Sequence, residues 1–186
     1  MLKKKIFIIV IIPIILVVMF IVFDVPKILY PIKYEDIVIK YSNEFNIDKY
    51  LIYAIIKAES NFNEKAQSSK GAKGLMQIID KTAKDILKKM DENQINEEDI
   101  ENKLLEPEFN IKLGTKYISL LKEKYQNLEL ALVAYNAGSG NVDNWIDKGI
   151  LNKDGSNIEK VPYKETNNYV RKILNYYEIY KAIYEK

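Results

Sequence analysis

The stretch Glu59-Ser60-Asn61-Phe62-Asn63-Glu64-Lys65-Ala66-Gln67-Ser68-Ser69-Lys70-Gly71-Ala72-Lys73-Gly74-Leu75-Met76-Gln77 decides how this chain is read. Its first residue ends an apolar segment. Asp48 stands at an N-cap position, and Leu51, Ile52, Ile55, Ile56 and Ala58 follow at helical spacing. From Ser60 to Gly74 the chain is polar and carries two glycines, the composition of a loop. A carboxylate thus sits between an apolar helix and a glycine-bearing loop. Gly71 and Gly74 suit a positive φ or a close approach of backbone to a ligand. By position alone, an acid ending a helix is more often a solvated surface residue than a catalyst, and Glu59 reads first as the former.

Upstream, apolar residues at 34, 37, 38, 41 and 45 predict a helix from Tyr34 to Phe45. Downstream, Asp80 or Thr82 can cap a helix running to about Met90, and the acidic stretch 91–103 reads as an exposed loop. Pro107 suits the first turn of a helix continuing through Leu121. Gly114 inside it costs about 1 kcal/mol against Ala and points to a close contact with another helix. Leu128 to Ala137 is almost wholly apolar and reads as a buried helix stopped by Gly138 and Gly140. Tyr163 to Tyr184 carries the stripe Tyr169, Val170, Ile173, Leu174, Tyr177, Tyr180 and Ile183 of a last long helix. No strand pattern or internal repeat is present. The expected fold class is mainly α, with one helical domain over residues 34–186.

Composition narrows the chemistry. The chain has 186 residues, 28 Lys and Arg, 26 Asp and Glu, no His and no Cys. Disulfides, thiolate nucleophiles, imidazole catalysis and zinc–thiolate sites are excluded. General acid–base work must come from carboxylates, Tyr or Lys. Lys3, Lys4 and Lys5 precede the body, and without them 25 basic residues face 26 acidic ones. A nearly neutral body with Arg171 as its single Arg lacks the clustered basic face that phosphates require, so nucleic acid is not an expected partner. The 14 Tyr are mostly helix-face residues rather than a ligand signal.

Residues 6–23 are apolar throughout except Pro13. As a helix they span about 27 Å, near the thickness of a bilayer's hydrocarbon core. Membrane helices tolerate such a proline. The three preceding lysines predict a cytoplasmic N-terminus and a body on the other side. Phe23-Asp24-Val25-Pro26 lacks the small residues of a signal-peptidase site, so an uncleaved signal anchor is favoured over a cleaved leader. The expected organisation is a Lys cluster and membrane helix over 1–25, a stalk over 26–33 with Pro26 and Pro31, and the helical domain beyond.

The stretch from Glu59 to Gln77 closely resembles the first signature of the SLT-type lytic transglycosylases, peptidoglycan-cleaving enzymes with a lysozyme-like fold related to goose-type lysozyme. Ala134-Tyr135-Asn136-Ala137-Gly138 resembles their second signature, and the stretch from Val161 to Val170 their third. Leu105 to Tyr117 also fits the pattern. The resemblance covers about residues 35–182. Ser139, Asp80 and Asn167 depart from it, standing where the family commonly has Pro, Pro and Arg.

The resemblance implies that Glu59 is the catalytic acid. It would protonate the oxygen between N-acetylmuramic acid and N-acetylglucosamine, then as a base take the proton of the muramoyl 6-hydroxyl, leaving a 1,6-anhydromuramoyl end. One carboxylate in two protonation states suffices, where an ordinary glycosidase uses two. Ser68 and Gln77 align with residues that bind sugar or peptide groups, or they serve as a turn hydroxyl and a helix-terminus amide. Tyr135 aligns with the tyrosine beside the cleaved bond, or is a core aromatic. Asn136 holds the loop or touches sugar. Glu165 aligns with the third signature's acid, binding substrate or complementing a helix dipole. No metal or cofactor is implied. The expected partners are peptidoglycan glycan strands and, through residues 6–23, a lipid bilayer. Single-pass anchoring also suits service to an envelope or secretion machine. A hydrolase using water, and a non-catalytic peptidoglycan-binding scaffold, are the rival readings.

Overall fold

The structure, a computed structural model, describes residues 2–91 and 97–185. Its helices are α1 (Leu2–Phe23), α2 (Val25–Leu29), α3 (Glu35–Phe45), α4 (Lys49–Glu59), α5 (Asp80–Lys89), α6 (Glu97–Lys103), α7 (Pro107–Tyr125), α8 (Leu128–Ala137), α9 (Ser139–Asp147) and α10 (Lys164–Tyr184). No strand forms among the described residues. Two isolated bridges, Gln67 with Lys73 and Lys73 with Ile78, fold the loop after α4 back on itself.

Two buried helices carry the core. Residues Leu51 to Ile56 of α4 and Leu130 to Ala134 of α8 are each essentially unexposed. Fully burying an aliphatic side chain contributes about 1.5–3 kcal/mol before entropy is counted. Both helices begin on a side-chain cap: Asp48 accepts from the Tyr50 amide at 2.8 Å, and Asn127 accepts from the Leu130 amide at 2.9 Å. α10 lies along α4 and α8, and α7 packs on α8 and α3. That arrangement brings the end of α4, the end of α8 and the first turns of α10 to one side of the body.

Several expectations change. Residues 91–103 are not all exposed loop. Residues 92–96 lie outside the described residues, but Glu97–Lys103 is helical, with Ile100 and the following Leu104 buried. Gly138 stops α8 with φ +87, yet α9 starts at the next residue and Gly140 lies inside it. The two apolar anchors of α9, Val142 and Trp145, are three residues apart and too few to show a stripe. Neither Asp80 nor Thr82 caps α5; Ile79 stands at the N-cap without a side-chain bond, and Asp80 pairs with Lys84 at 3.1 Å.

The apolar stretch Ile11–Leu29 is long and apolar enough to cross a membrane. Beyond it, Tyr30 and Ile32 already pack against the core.

Candidate active site

Glu59 is the last residue of α4. The chain turns sharply after it. Asn61 and Phe62 both take left-handed backbone (φ +49 and +65), a costly conformation for non-glycine residues, offset by burial of the Phe62 ring. The Ser60 hydroxyl donates to the Leu75 carbonyl at 2.8 Å and pulls the far end of the loop against α4.

The loop is held from behind by a fully buried amide. Asn110 on α7 accepts from the Met76 amide at 2.7 Å and donates to the carbonyls of Lys73 (2.8 Å) and Leu104 (2.7 Å). Gly74 makes this possible: at φ +77 a Cβ would lie 2.2 Å from the Leu104 oxygen and 2.3 Å from Asn110 Nδ2. Gly114 admits Met76 in the same way, since a Cβ there would meet its sulfur at 2.4 Å. The close contact at Gly114 is therefore with the loop, not with another helix as expected. Lys73 also pairs with Glu101 of α6 at 3.1 Å, so the acidic helix braces the same loop.

These elements enclose a cleft of about 360 Å³ lined by Glu59, Ser68, Gln77, Tyr135 and Asn136, with Ile78, Ile79 and Tyr117 among its walls. Tyr117, Thr82 and Gly138 also border a larger groove of about 750 Å³ between α5, α7 and the start of α9. Glu59 is the only carboxylate among the described residues that line the cleft. Burial disfavours its charged form and lifts its pKa from 4.5 to about 7, against the opposing effects of a hydrogen bond from Tyr169 and the positive charge of Lys172. The Tyr169 hydroxyl donates to Glu59 Oε1 at 2.5 Å. One turn later, Lys172 Nζ donates to the Ala58 carbonyl at 3.0 Å. α10 thus grips both the carboxyl and the main chain beside it.

Tyr135 sits at the end of α8, its ring 5.1 Å from that of Tyr117. Its hydroxyl donates to the Met76 carbonyl at 2.8 Å. With the proton so used, the lone pairs of the oxygen are the part left to act on a neighbour. Burial and the neighbouring Glu59 keep the phenol well above its ordinary pKa, so it is neutral.

The remaining expected residues fall in distinct places. Gln77, at φ +50, lines the cleft and spends its amide N–H groups on the carbonyls of Ala66 (3.1 Å) and Gly74 (2.9 Å), which braces the loop. Ser68 is exposed, and its oxygen accepts from the Ala72 amide at 3.0 Å, so its own O–H remains to donate. Asn136 accepts from the buried Thr166 hydroxyl at 2.8 Å and so ties the second signature to the third. Glu165, in the first turn of α10, is exposed and lies 4.0 Å from Lys70 Nζ rather than against the cleft wall. Asn167 donates to the Val161 carbonyl at 3.2 Å and closes the turn before α10.

Tyr169 and Lys172 are the site residues that sequence reading missed. Tyr169 is the penultimate residue of the third signature, yet its place in an apolar stripe marked it as packing. Its partner Glu59 lies 110 positions away.

Residues 36–155 match the family described as Transglycosylase SLT domain. The soluble lytic murein transglycosylase of Salmonella typhimurium is 34% identical over 154 residues, 82% of this chain and 23% of that protein. Membrane-bound lytic murein transglycosylase C of Edwardsiella ictaluri is 32% identical over 81% of this chain and 47% of its own length. Among solved structures, the 70 kDa soluble lytic transglycosylase of Escherichia coli superposes with a TM-score of 0.74 at 30% identity, over 84% of this chain and 25% of that one. The chain spans about a quarter of the soluble relatives and about half of this membrane-bound one. With the helical, lysozyme-like architecture shared and the signature residues gathered around one cleft, the chain belongs to the transglycosylase SLT domain family.

Proposed function

We propose that this protein is a membrane-anchored peptidoglycan lytic transglycosylase. It cleaves the β-1,4 bond between N-acetylmuramic acid and N-acetylglucosamine and leaves 1,6-anhydromuramoyl ends. The observation that carries this is the half-buried Glu59 carboxyl, the one carboxyl among the described residues lining the cleft, with a pKa near 7. An acid so poised is substantially protonated at neutral pH and gives up its proton easily.

In the first half of the reaction Glu59 donates its proton to the glycosidic oxygen as the bond to the anomeric carbon breaks, and the glucosamine portion leaves as an alcohol. In the second half the Glu59 carboxylate takes the proton of the muramoyl 6-hydroxyl while that oxygen bonds to the anomeric carbon. The proton is recovered and no water is consumed. Tyr169 and Lys172 favour the carboxylate between the two halves. Tyr135, its proton engaged by Met76, turns oxygen lone pairs toward the positive charge developing on the sugar. Ser68, Gln77 and Asn136 bind the sugar, with Glu165 at the rim beyond Lys70.

A double-displacement or water-based glycosidase needs a second carboxylate about 5–10 Å away. The absence of another acid among the described lining residues favours the single-acid route over hydrolysis. Residues 1–25 serve as an uncleaved anchor, the lysines facing the cytoplasm and residues 34–186 the cell wall. The apolar run and the membrane-bound relative support the anchoring, and the three lysines before the run support its orientation.

The test is mass spectrometry of muropeptides released from purified peptidoglycan by the detergent-solubilised full chain, beside Glu59→Gln. Products lacking one water, released by the wild type alone, are expected. Reducing ends would make the protein a hydrolase, and binding without release a scaffold. Equal release by both proteins would remove Glu59 from the reaction.

A further inference from the structure

The apolar run and the catalytic body are joined without slack. α2 ends at Leu29, and the next residue is already fastened. The Tyr30 ring stands edge-on to Tyr176 and Tyr180, 5.6 Å between centroids in each case, and Lys57 Nζ lies over it at 4.9 Å. The Tyr184 hydroxyl donates to the Tyr30 carbonyl at 2.8 Å, and that of Tyr180 to the Pro31 carbonyl at 3.3 Å. Tyr34 donates to Glu64 of the active-site loop at 3.0 Å. Residues 30–34 are therefore tied to α10, to α4 and to the loop that follows Glu59. Proline at 31 further restricts the backbone. Such a segment cannot act as a free stalk unless all these contacts break together.

The docking limits how far the cleft can stand from the anchor. Along α10, Tyr169 lies fifteen residues from Tyr184, about 22 Å at 1.5 Å per residue. By the other route, Lys57, which covers Tyr30, is only two residues before Glu59. Asp24 and α2 add at most about 9 Å back to Phe23. Whatever the tilt of the body, the Glu59 carboxyl stays within about 30 Å of the end of the apolar run.

Resting on the anchor and the activity proposed above, we infer that the enzyme works in a fixed layer against the bilayer, and that its substrate is membrane-proximal glycan rather than the outer wall. A free stalk would behave otherwise: twenty Gly and Ser residues have a root-mean-square length of about 25 Å and would nearly double the reach.

The chain lacks Cys, so Ser69→Cys places a single donor dye on the exposed loop beside the cleft. The full chain is reconstituted in vesicles containing acceptor-labelled lipid and lipid-linked glycan strands. The expected result is one narrow, high-transfer population. It should broaden and weaken when twenty Gly and Ser residues are inserted between Leu29 and Tyr30, an insertion that leaves every docking contact in place. In the same vesicles, preference for lipid-linked strands over suspended sacculi should fall at least about fivefold on insertion. Equal transfer, or an equal preference, in the two proteins would overturn the inference. Detergent-solubilised protein must cleave both substrates, since failure there overturns the activity and not the placement. A chain that does not float with the vesicles overturns the anchor.

Discussion

Glu59→Gln should make the protein more stable at pH 8 while removing its activity. Burial raises the carboxyl from 4.5 to about 7, and each unit corresponds to about 1.4 kcal/mol. Because the folded-state pKa is the higher one, the folded protein keeps a proton that the unfolded chain has released. The stability this confers is fully present below about pH 4.5 and is lost as pH rises through about 7, at most about 3 kcal/mol in all. The side chain is not completely shielded, so water recovers part of that and about 2 kcal/mol is expected. Gln has the same shape, is neutral at every pH and still accepts from Tyr169, so the variant escapes the loss. Trp145 is the single tryptophan, buried and edge-on to Tyr163, and its emission reports unfolding. In urea titrations the two proteins should differ by less than about 1 kcal/mol at pH 5. At pH 8 the variant's midpoint should be higher by about 1 M, for a slope of about 2 kcal/mol/M. A variant no more stable than the wild type at pH 8 would refute the argument, because the carboxylate would then be solvated and no better an acid than any surface glutamate.

Tyr169→Phe removes a hydrogen bond that favours the ionised form, so the Glu59 pKa should rise by about one unit. The fall of kcat/KM at high pH, where the acid is lost, should move up by the same amount; a downward shift would contradict the role assigned to Tyr169. Tyr135→Phe leaves the buried Met76 carbonyl unpaired, costing about 1–2 kcal/mol of stability. It should also lower kcat about tenfold with KM little changed, and an unchanged kcat would return Tyr135 to a packing role. Gly71 and Gly74 both have positive φ, but only Gly74 is crowded. Unfolding measurements should show Gly71→Ala costing about 1 kcal/mol and Gly74→Ala more than about 3 kcal/mol, and equal costs would show that Asn110 does not clamp the loop.

Much of the helical framework was legible because it rests on local chemistry. Asp48 caps α4 and Pro107 opens α7 as read, since a cap and a first-turn proline act within a few residues. The long stripe of α10 was visible for the same reason. α9 was not, because two apolar anchors between glycines and asparagines carry no period. α6 was hidden by its own acidity: Ile100 is its one deeply buried residue in the described part, the helix pairs with Lys73 through Glu101, and Asn110 fastens the Leu104 carbonyl just beyond it.

The division is sharpest at the site. The sequence by itself narrowed the class of chemistry, since a chain without His or Cys leaves acid–base work to carboxylates, Tyr or Lys, and it was the resemblance of the signature stretches, not position after an apolar helix, that singled out Glu59. It also predicted the positive φ at Gly71 and Gly74 as one of two uses for those glycines. Tertiary structure alone decided that Tyr169 grips that carboxyl, that the Tyr135 proton is spent on Met76, and that residues 30–34 are docked rather than free. The reason is physical. Capping, turn geometry and amphipathic spacing are set by neighbours in the chain. Desolvation of a carboxyl and the choice of its hydrogen-bond partner depend on groups from α4, α8 and α10, which meet only once the core has packed.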